Sequence, residues 1–146
     1  LVTPTAFPAP RRTSNGIDYN RTCLILAVLE KRLGLRFSQC DVYLNVIGGL
    51  RVDEPAADAA IALALISSIK DAPVPEGLLV CGEVGLSGEI RAVSAPEQRA
   101  KEAQRIGFSH VAFPKRSLAH KRIELDGVEA VGVAGVYDLL NLLPRE

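Results

Sequence analysis

A chain of 146 residues holds one domain with room for a single substantial core, and 48% apolar with 23% charged side chains is a globular make-up. Seventeen basic and seventeen acidic groups cancel, so no bulk charge singles out a nucleic-acid or membrane partner. The longest apolar run, inside residues 56–66, is too short to span a bilayer, and three scattered cysteines (Cys23, Cys40, Cys81) with no CxxC pair argue against a zinc knot and against a disulfide framework, which suits a reducing cytoplasm.

The charge is unevenly placed: residues 11–36 carry six basic and two acidic groups, residues 37–100 four and nine. The chain has no initiator Met and opens mid-phrase at "LVTPT", so it reads as a fragment of a longer protein, cut within or just after a strand.

Residues 1–16, with three prolines in seven residues followed by polar turn formers, read as an extended, loop-like lead-in containing a truncated first strand. Asp18 is a good N-cap for "YNRTCLILAVLEKRL", and Gly34 suits the position after that helix's end. "DVYLNVI" (41–47) sets Val42 and Leu44 against Tyr43 and Asn45, a strand alternation that Gly48 and Gly49 break. Asp53 is expected to cap a helix over about 55–69, with Pro55 in its first turn; apolar nearly all round, that helix belongs at the centre.

"GLLVCGEV" (77–84) and "GEIRAV" (88–93) read as two strands joined by a tight "GLSG" turn. A polar helix "APEQRAKEAQRIG" closes at Gly107, "HVAFP" is a buried strand ended by Pro114, "VEAVGV" (128–133) is the last strand, and "VYDLLNLL" is a short helix. Strands and helices intermix, which makes the class α/β or α+β. There is no internal repeat, heptad series or low-complexity tract.

Chemistry-bearing motifs are scarce. There is neither a GxxxxGK[ST] loop nor a GxGxxG turn, so this stretch is not expected to bind ATP. His110 and His120 lie outside any metal-ligand spacing, and Glu83 and Glu89 flank a turn as solvated strand-end charges.

The string "DEPAAD" before an alanine-rich helix, then "GEVGLSGEIRAV" and a polar helix, resembles the proteolytic domain of Lon-type proteases. That resemblance implies a fold also found in the second domain of the fifth small-subunit ribosomal protein. In Lon-type enzymes the corresponding segments read roughly DGPSAG and TGE-x-x-L-x-G, then a glycine-rich stretch bearing lysine. A serine at a helix N-terminus acts with that lysine, and helix N–H groups stabilise the oxyanion. Carried over residue by residue, the serine falls on Ala56 and the lysine on Glu97, so both catalytic groups are missing. Arg99 falls near the family's second lysine, but a guanidinium cannot serve as a base. Asp58 puts a charge where the family has a small residue, a first-turn carboxylate favoured by the helix dipole.

"PRRTSNGIDYNR", "LILAVLEKRLGL", "DVYLNVIGGLRVDEPAAD" and "GEVGLSGEIRAVSAPEQRAKEAQRIGF" more closely resemble the C-terminal domain of the bacterial RadA (Sms) family of recombination and repair proteins, over about residues 1–116. The resemblance implies a catalytically inactive Lon-like domain over residues 17–146. It also implies a homo-hexameric ring, double-stranded or branched DNA as partner, no membrane, and recombinase machinery reached through the parent protein. ATP, Mg and Zn are expected only in preceding parts, a RecA-like motor driving branch migration and a four-cysteine zinc finger; this stretch needs no cofactor and no metal. The expected DNA contacts are Arg12, Arg21, Arg51 and Arg91, with Arg51 and Arg91 flanking the relic site. Arg11 shares the lead-in, Arg21 has Asp18 or Glu30 as an alternative partner, and Lys115, Arg116, Lys121 and Arg122 form a second basic cluster. Two other readings are an interaction module without DNA contact and a peptidase with a displaced dyad, such as Ser94 with Lys101, or Ser87 with a lysine from elsewhere.

Overall fold

The computed structural model describes residues 1–118 and 126–145. Two strands, β1 (Val2–Pro4) and β2 (Arg12–Asn15), lie in the stretch that the prolines mark as loop. Both pair with β3 (Cys40–Asn45), β1 antiparallel and β2 parallel, to give the sheet order β1-β3-β2. The lead-in is thus built into the domain, since Pro4 stands at the end of β1 on an outer strand, where a missing N–H costs little.

Between β2 and β3 runs α1 (Tyr19–Leu33). The Asp18 carboxylate accepts the Arg21 N–H at 3.1 Å, and Gly34, at φ 68°, turns its N–H back to the Glu30 carbonyl. Ile25, Leu26, Val28 and Leu29 form its buried face. A 3-10 turn at Phe37–Gln39 leads into β3.

The second helix, α2 (Asp58–Lys70), is preceded by a 3-10 turn at Pro55–Ala57. Glu54 caps that turn; Asp53, expected in the role, is exposed and pairs with Arg51. As its composition predicts, α2 is the central helix, with Ala59, Ala62, Leu63, Leu65 and Ile66 almost inaccessible. It packs against α1 and α5 (Val136–Leu140), and Ile25, Leu29, Leu63, Ile66 and Leu139 share this core.

A second sheet, β4-β7-β8, is parallel throughout: β4 (Leu78–Val80), β7 (His110–Pro114) and β8 (Glu129–Val133). Between β4 and β7 come a hairpin, β5 (Glu83–Val84) with β6 (Ile90–Arg91), and α3 (Pro96–Ile106). The stretch read as one strand, residues 77–84, is therefore two. Cys81 still donates its N–H to the Ala112 carbonyl, but at Gly82 the backbone leaves the sheet for the start of α2. Ala100 and Ala103 of α3 lie on Val111 and Phe113 in a smaller second core, and α4 (Lys115–Leu118) follows β7. The fold is mixed α/β. Among the described residues no helix is long and apolar enough to cross a membrane.

Candidate functional site

The position carried over for a nucleophile, Ala56, lies in the turn before α2 and is 4% exposed. A helix N-terminus used in acyl transfer needs unoccupied N–H groups to receive a developing oxyanion. Here each early donor already has a partner. Ala56 donates to Glu54 Oε1 at 3.1 Å, Ala57 to the Glu54 carbonyl at 3.0 Å, and Asp58 to the Pro55 carbonyl. Ala59 donates to the Gly82 carbonyl at 3.0 Å, and Gly82 returns a 2.8 Å bond to the Ala56 carbonyl. A side chain at position 82 has no room, because its Cβ would stand 2.3 Å from Ile90 Cγ2.

The same edge continues two residues on, at Val84. Asp58 is 2% exposed, and its carboxylate is held by Arg21, with Nε donating to Oδ1 at 2.9 Å and Nη2 to Oδ2. Asp58 Oδ2 also accepts the Val84 N–H at 3.1 Å, while Arg21 Nη2 reaches the Val84 carbonyl at 3.3 Å. Val84 turns both peptide groups away from β6, and the ion pair satisfies them as a neighbouring strand would. Gly82 and Val84 thus bind their free edge to the α2 turn and to Arg21, leaving no open edge there for an extended peptide.

Glu97, the position carried over for the lysine, is half exposed and pairs with Lys101 at 3.5 Å, one helical turn along α3. The α3 side chain that reaches the Pro55 turn is Arg99. Its Nε donates to the Ser94 carbonyl at 2.8 Å, and its Nη2 lies 3.9 Å from Glu54 Oε1. Ser94, one alternative nucleophile, is held by Arg99 rather than by Lys101. Cys81 lies half-buried beside this contact; burial pushes its thiol up and Arg99 partly opposes that. Ser87 sits in the hairpin turn, its N–H donating to Glu89 Oε2 at 3.1 Å.

The four arginines expected to meet DNA do not form one free cationic surface. Arg21 has its guanidinium in the Asp58 pair, which replaces the expected alternatives Asp18 and Glu30. Arg12 lies at the other end of β2 and donates to three carbonyls, those of Arg11 (3.2 Å), Phe37 (2.7 Å) and Cys40. Arg51 is exposed but bonded to Asp53 at 2.9 Å. Arg91 lies between Glu89 (3.1 Å) and Glu83 (4.0 Å); the Glu89 carboxyl is held below its usual range first by its own backbone N–H, against desolvation, and then by Arg91 and the Ser87 N–H. The cleft of about 200 Å³ beside Arg21 is lined by Asp18, Asp53, Glu54, Asp58 and Glu83 as well. Around the Pro55 turn, carboxylates outnumber guanidinium groups.

In the second cluster, Lys115 and Arg116 are exposed on α4, where the Lys115 stem lies over Gly132; Lys121 and Arg122 lie outside the described residues. Sequence reasoning passed over Glu54, adjacent to an equally plausible acid, and the exposed trio Lys31, Arg32 and Arg36 around the end of α1. The signal for the trio was the basic excess of residues 11–36.

A family model described as "Subunit ChlI of Mg-chelatase" matches residues 22–117. DNA repair protein RadA of Synechocystis is 47% identical over 137 residues, covering 94% of this chain and 26% of that protein. DNA repair protein RadA of Streptococcus pyogenes serotype M1 is 49% identical, and that of Bacillus subtilis 46%, each over 97% of this chain and 31% of the relative. The chain therefore spans about 26–31% of the length of these curated relatives.

Proposed function

The chain belongs to the family described as Subunit ChlI of Mg-chelatase and is homologous to DNA repair protein RadA, and on that footing we propose that it is a proteolytically inactive Lon-like domain of a RadA-type repair protein. In this reading the domain, residues 17–146 with the strands of its lead-in, is a ring-assembly scaffold and a sequence-independent platform for double-stranded or branched DNA. It serves an ATP-driven branch-migration motor in recombination, acting in the cytoplasm beside the recombinase machinery. ATP, Mg and Zn belong to other parts of the parent protein.

The observation that carries the inactive reading is the closed N-terminus of α2. Ala56 has no nucleophilic atom, and the four N–H groups from Ala56 to Ala59 are all engaged within the chain. A restored serine would attack without a preformed oxyanion hole, whose single donors are each worth about 10²–10³ in kcat. Casein digestion tests it: wild-type chain is expected to cleave nothing, and cleavage abolished by Ser94→Ala or Ser87→Ala would overturn the reading.

In the same reading the chain assembles head to tail into a ring, taken as a hexamer, which closes where the rotation between neighbours permits. Light scattering is expected to give a cyclic oligomer, and a strict monomer at high concentration would count against it. For DNA, a neutral chain needs cations that converge on one surface, and a ring multiplies each contact. Mobility shift at two salt concentrations tests this, since phosphate binding weakens steeply as salt rises. A second reading, an oligomerisation and protein-interaction module without DNA contact, is favoured by one observation: Arg21, Arg51 and Arg91 each face a carboxylate.

A further inference from the structure

Arg11, Lys31, Arg32 and Arg36 are exposed, and among the described residues none has a carboxylate partner. They lie at the end of the domain where α1 stops and the parallel strands β2 and β3 begin, with the Arg32 stem beside Gly88 of the hairpin. Lys31 and Arg32 end α1, Gly34 turns the chain, and Arg36 precedes the Phe37–Gln39 turn. That turn is fixed from two sides. Arg12 donates to the Phe37 and Cys40 carbonyls, and Glu30 Oε1 accepts the Ser38 N–H at 3.1 Å. Arg11, next to Arg12, has its backbone N–H held by Asp41 Oδ1 at 2.7 Å and its guanidinium 3.9 Å above the Phe7 ring.

Of the two carboxylates of this corner, Asp41 is 5% exposed and accepts the Arg11 N–H, while Glu30 is half-buried and accepts the Ser38 N–H. Four exposed cations thus stand against one half-buried carboxylate, and the corner is positive in sum. The carbonyls that end α1 carry partial negative charge, which Lys31 and Arg32 offset locally. Arg36 and Arg11 add charge beyond that compensation. The relic cleft has the opposite character, with Asp18, Asp53, Glu54, Asp58 and Glu83 around Arg21.

We propose that duplex DNA is held through its phosphates by the corner formed by Arg11, Lys31, Arg32 and Arg36, and not by the relic groove. This rests on the DNA-binding reading above and relocates its contacts. Arg12 becomes a positioning residue, fixing the turn from which Arg36 projects. Phosphate contacts of this kind fix position and carry no sequence information.

The test uses the 146-residue chain and a fluorescein-labelled 30-bp duplex, read by anisotropy across a series of KCl concentrations. In B-DNA each lost phosphate contact lowers the log–log salt slope by about 0.9, so Lys31→Gln/Arg32→Gln/Arg36→Gln should lower it by roughly 2–3 and weaken binding at low salt at least about tenfold. Arg51→Gln/Arg91→Gln should bind within about threefold of wild type, and urea titration of the triple variant should match wild type. Wild-type affinity and slope in the triple variant would overturn the corner while leaving DNA binding intact, as would loss of binding confined to Arg51→Gln/Arg91→Gln. If wild type binds no duplex at low salt, the DNA reading itself falls. If the triple variant loses only binding to poly-glutamate and keeps its DNA affinity, the corner is a surface for an acidic protein and the proposal is overturned.

Discussion

Asp58→Ala isolates the ion pair that closes the edge of β5. The Asp58 side chain is 3% exposed and that of Arg21 30%, so the variant leaves a largely covered guanidinium without an anion and the Val84 N–H without an acceptor. Breaking a fully buried pair costs about 3–5 kcal/mol, and the water that reaches Arg21 lowers this toward about 2. The orphaned Val84 N–H adds about 1 kcal/mol. The expected loss is about 3 kcal/mol, a fall in Tm of roughly 6–12 °C for a domain of this size. Asp58→Asn keeps a carbonyl oxygen as acceptor and should lose less. Urea titration followed by circular dichroism measures both, and the cycle with Arg21→Met should give a coupling of about 1–2 kcal/mol. An Asp58→Ala variant within about 0.5 kcal/mol of wild type would refute the assignment, because a loss that small lies within the range of about 0–1 kcal/mol for an exposed pair.

Ala56→Ser with Glu97→Lys should remain inert toward casein, since Glu97 projects into solvent beside Lys101 and the N-terminal donors of α2 are occupied; measurable turnover would show that those bonds rearrange. Gly16→Ala should cost about 2–3 kcal/mol by urea titration, because φ is +84° there and the new Cβ would lie 2.5 Å from the Leu50 carbonyl oxygen. Asp41 is held below its usual carboxylate range foremost by the Arg11 N–H, then by the Thr5 hydroxyl and the nearby guanidinium groups, against desolvation. A depressed folded-state pKa stabilises the fold above the unfolded value of about 4 and loses that contribution as pH falls through the folded value. The stability gap between wild type and Asp41→Asn should therefore narrow below about pH 4, and a gap that is equal at pH 3 and pH 7 would exclude Asp41 as the titrating group.

The elements legible in the sequence are those whose determinants are local. Both ends of α1 follow from Asp18 and Gly34, which touch only their own helix, and the ends of α3 and β7 follow from Gly107 and Pro114. Where two adjacent residues offer the same chemistry, local reading cannot choose between them: Asp53 and Glu54 are both acids, and only the path of the Pro55 turn puts Glu54 in reach of the Ala56 N–H. The 77–84 stretch reads as one strand because Cys81–Gly82 looks like an ordinary strand interior. The break there depends on the α2 turn, which supplies the Ala56 carbonyl and the Ala59 N–H.

The arginines are the extreme case, because nothing in a sequence marks a guanidinium as already occupied. Arg21 finds its carboxylate 37 residues away and Arg12 its carbonyls 25 and 28 away, so both read as free cations until the helices and β3 are assembled. The zero net charge then misleads in a specific way. It invites a search for cations beside the recognisable motif, and that motif lies where acidic side chains collect. Among the described residues, four exposed cations without an ion pair, Arg11, Lys31, Arg32 and Arg36, stand where α1 ends and β2 begins. There Asp41 is buried on the Arg11 N–H and the half-buried Glu30 is engaged by the Ser38 N–H, so the cations outnumber the carboxylates. On the reading proposed above, a domain neutral in sum would hold a polyanion on this corner and repel it from the acidic cleft beside the Pro55 turn.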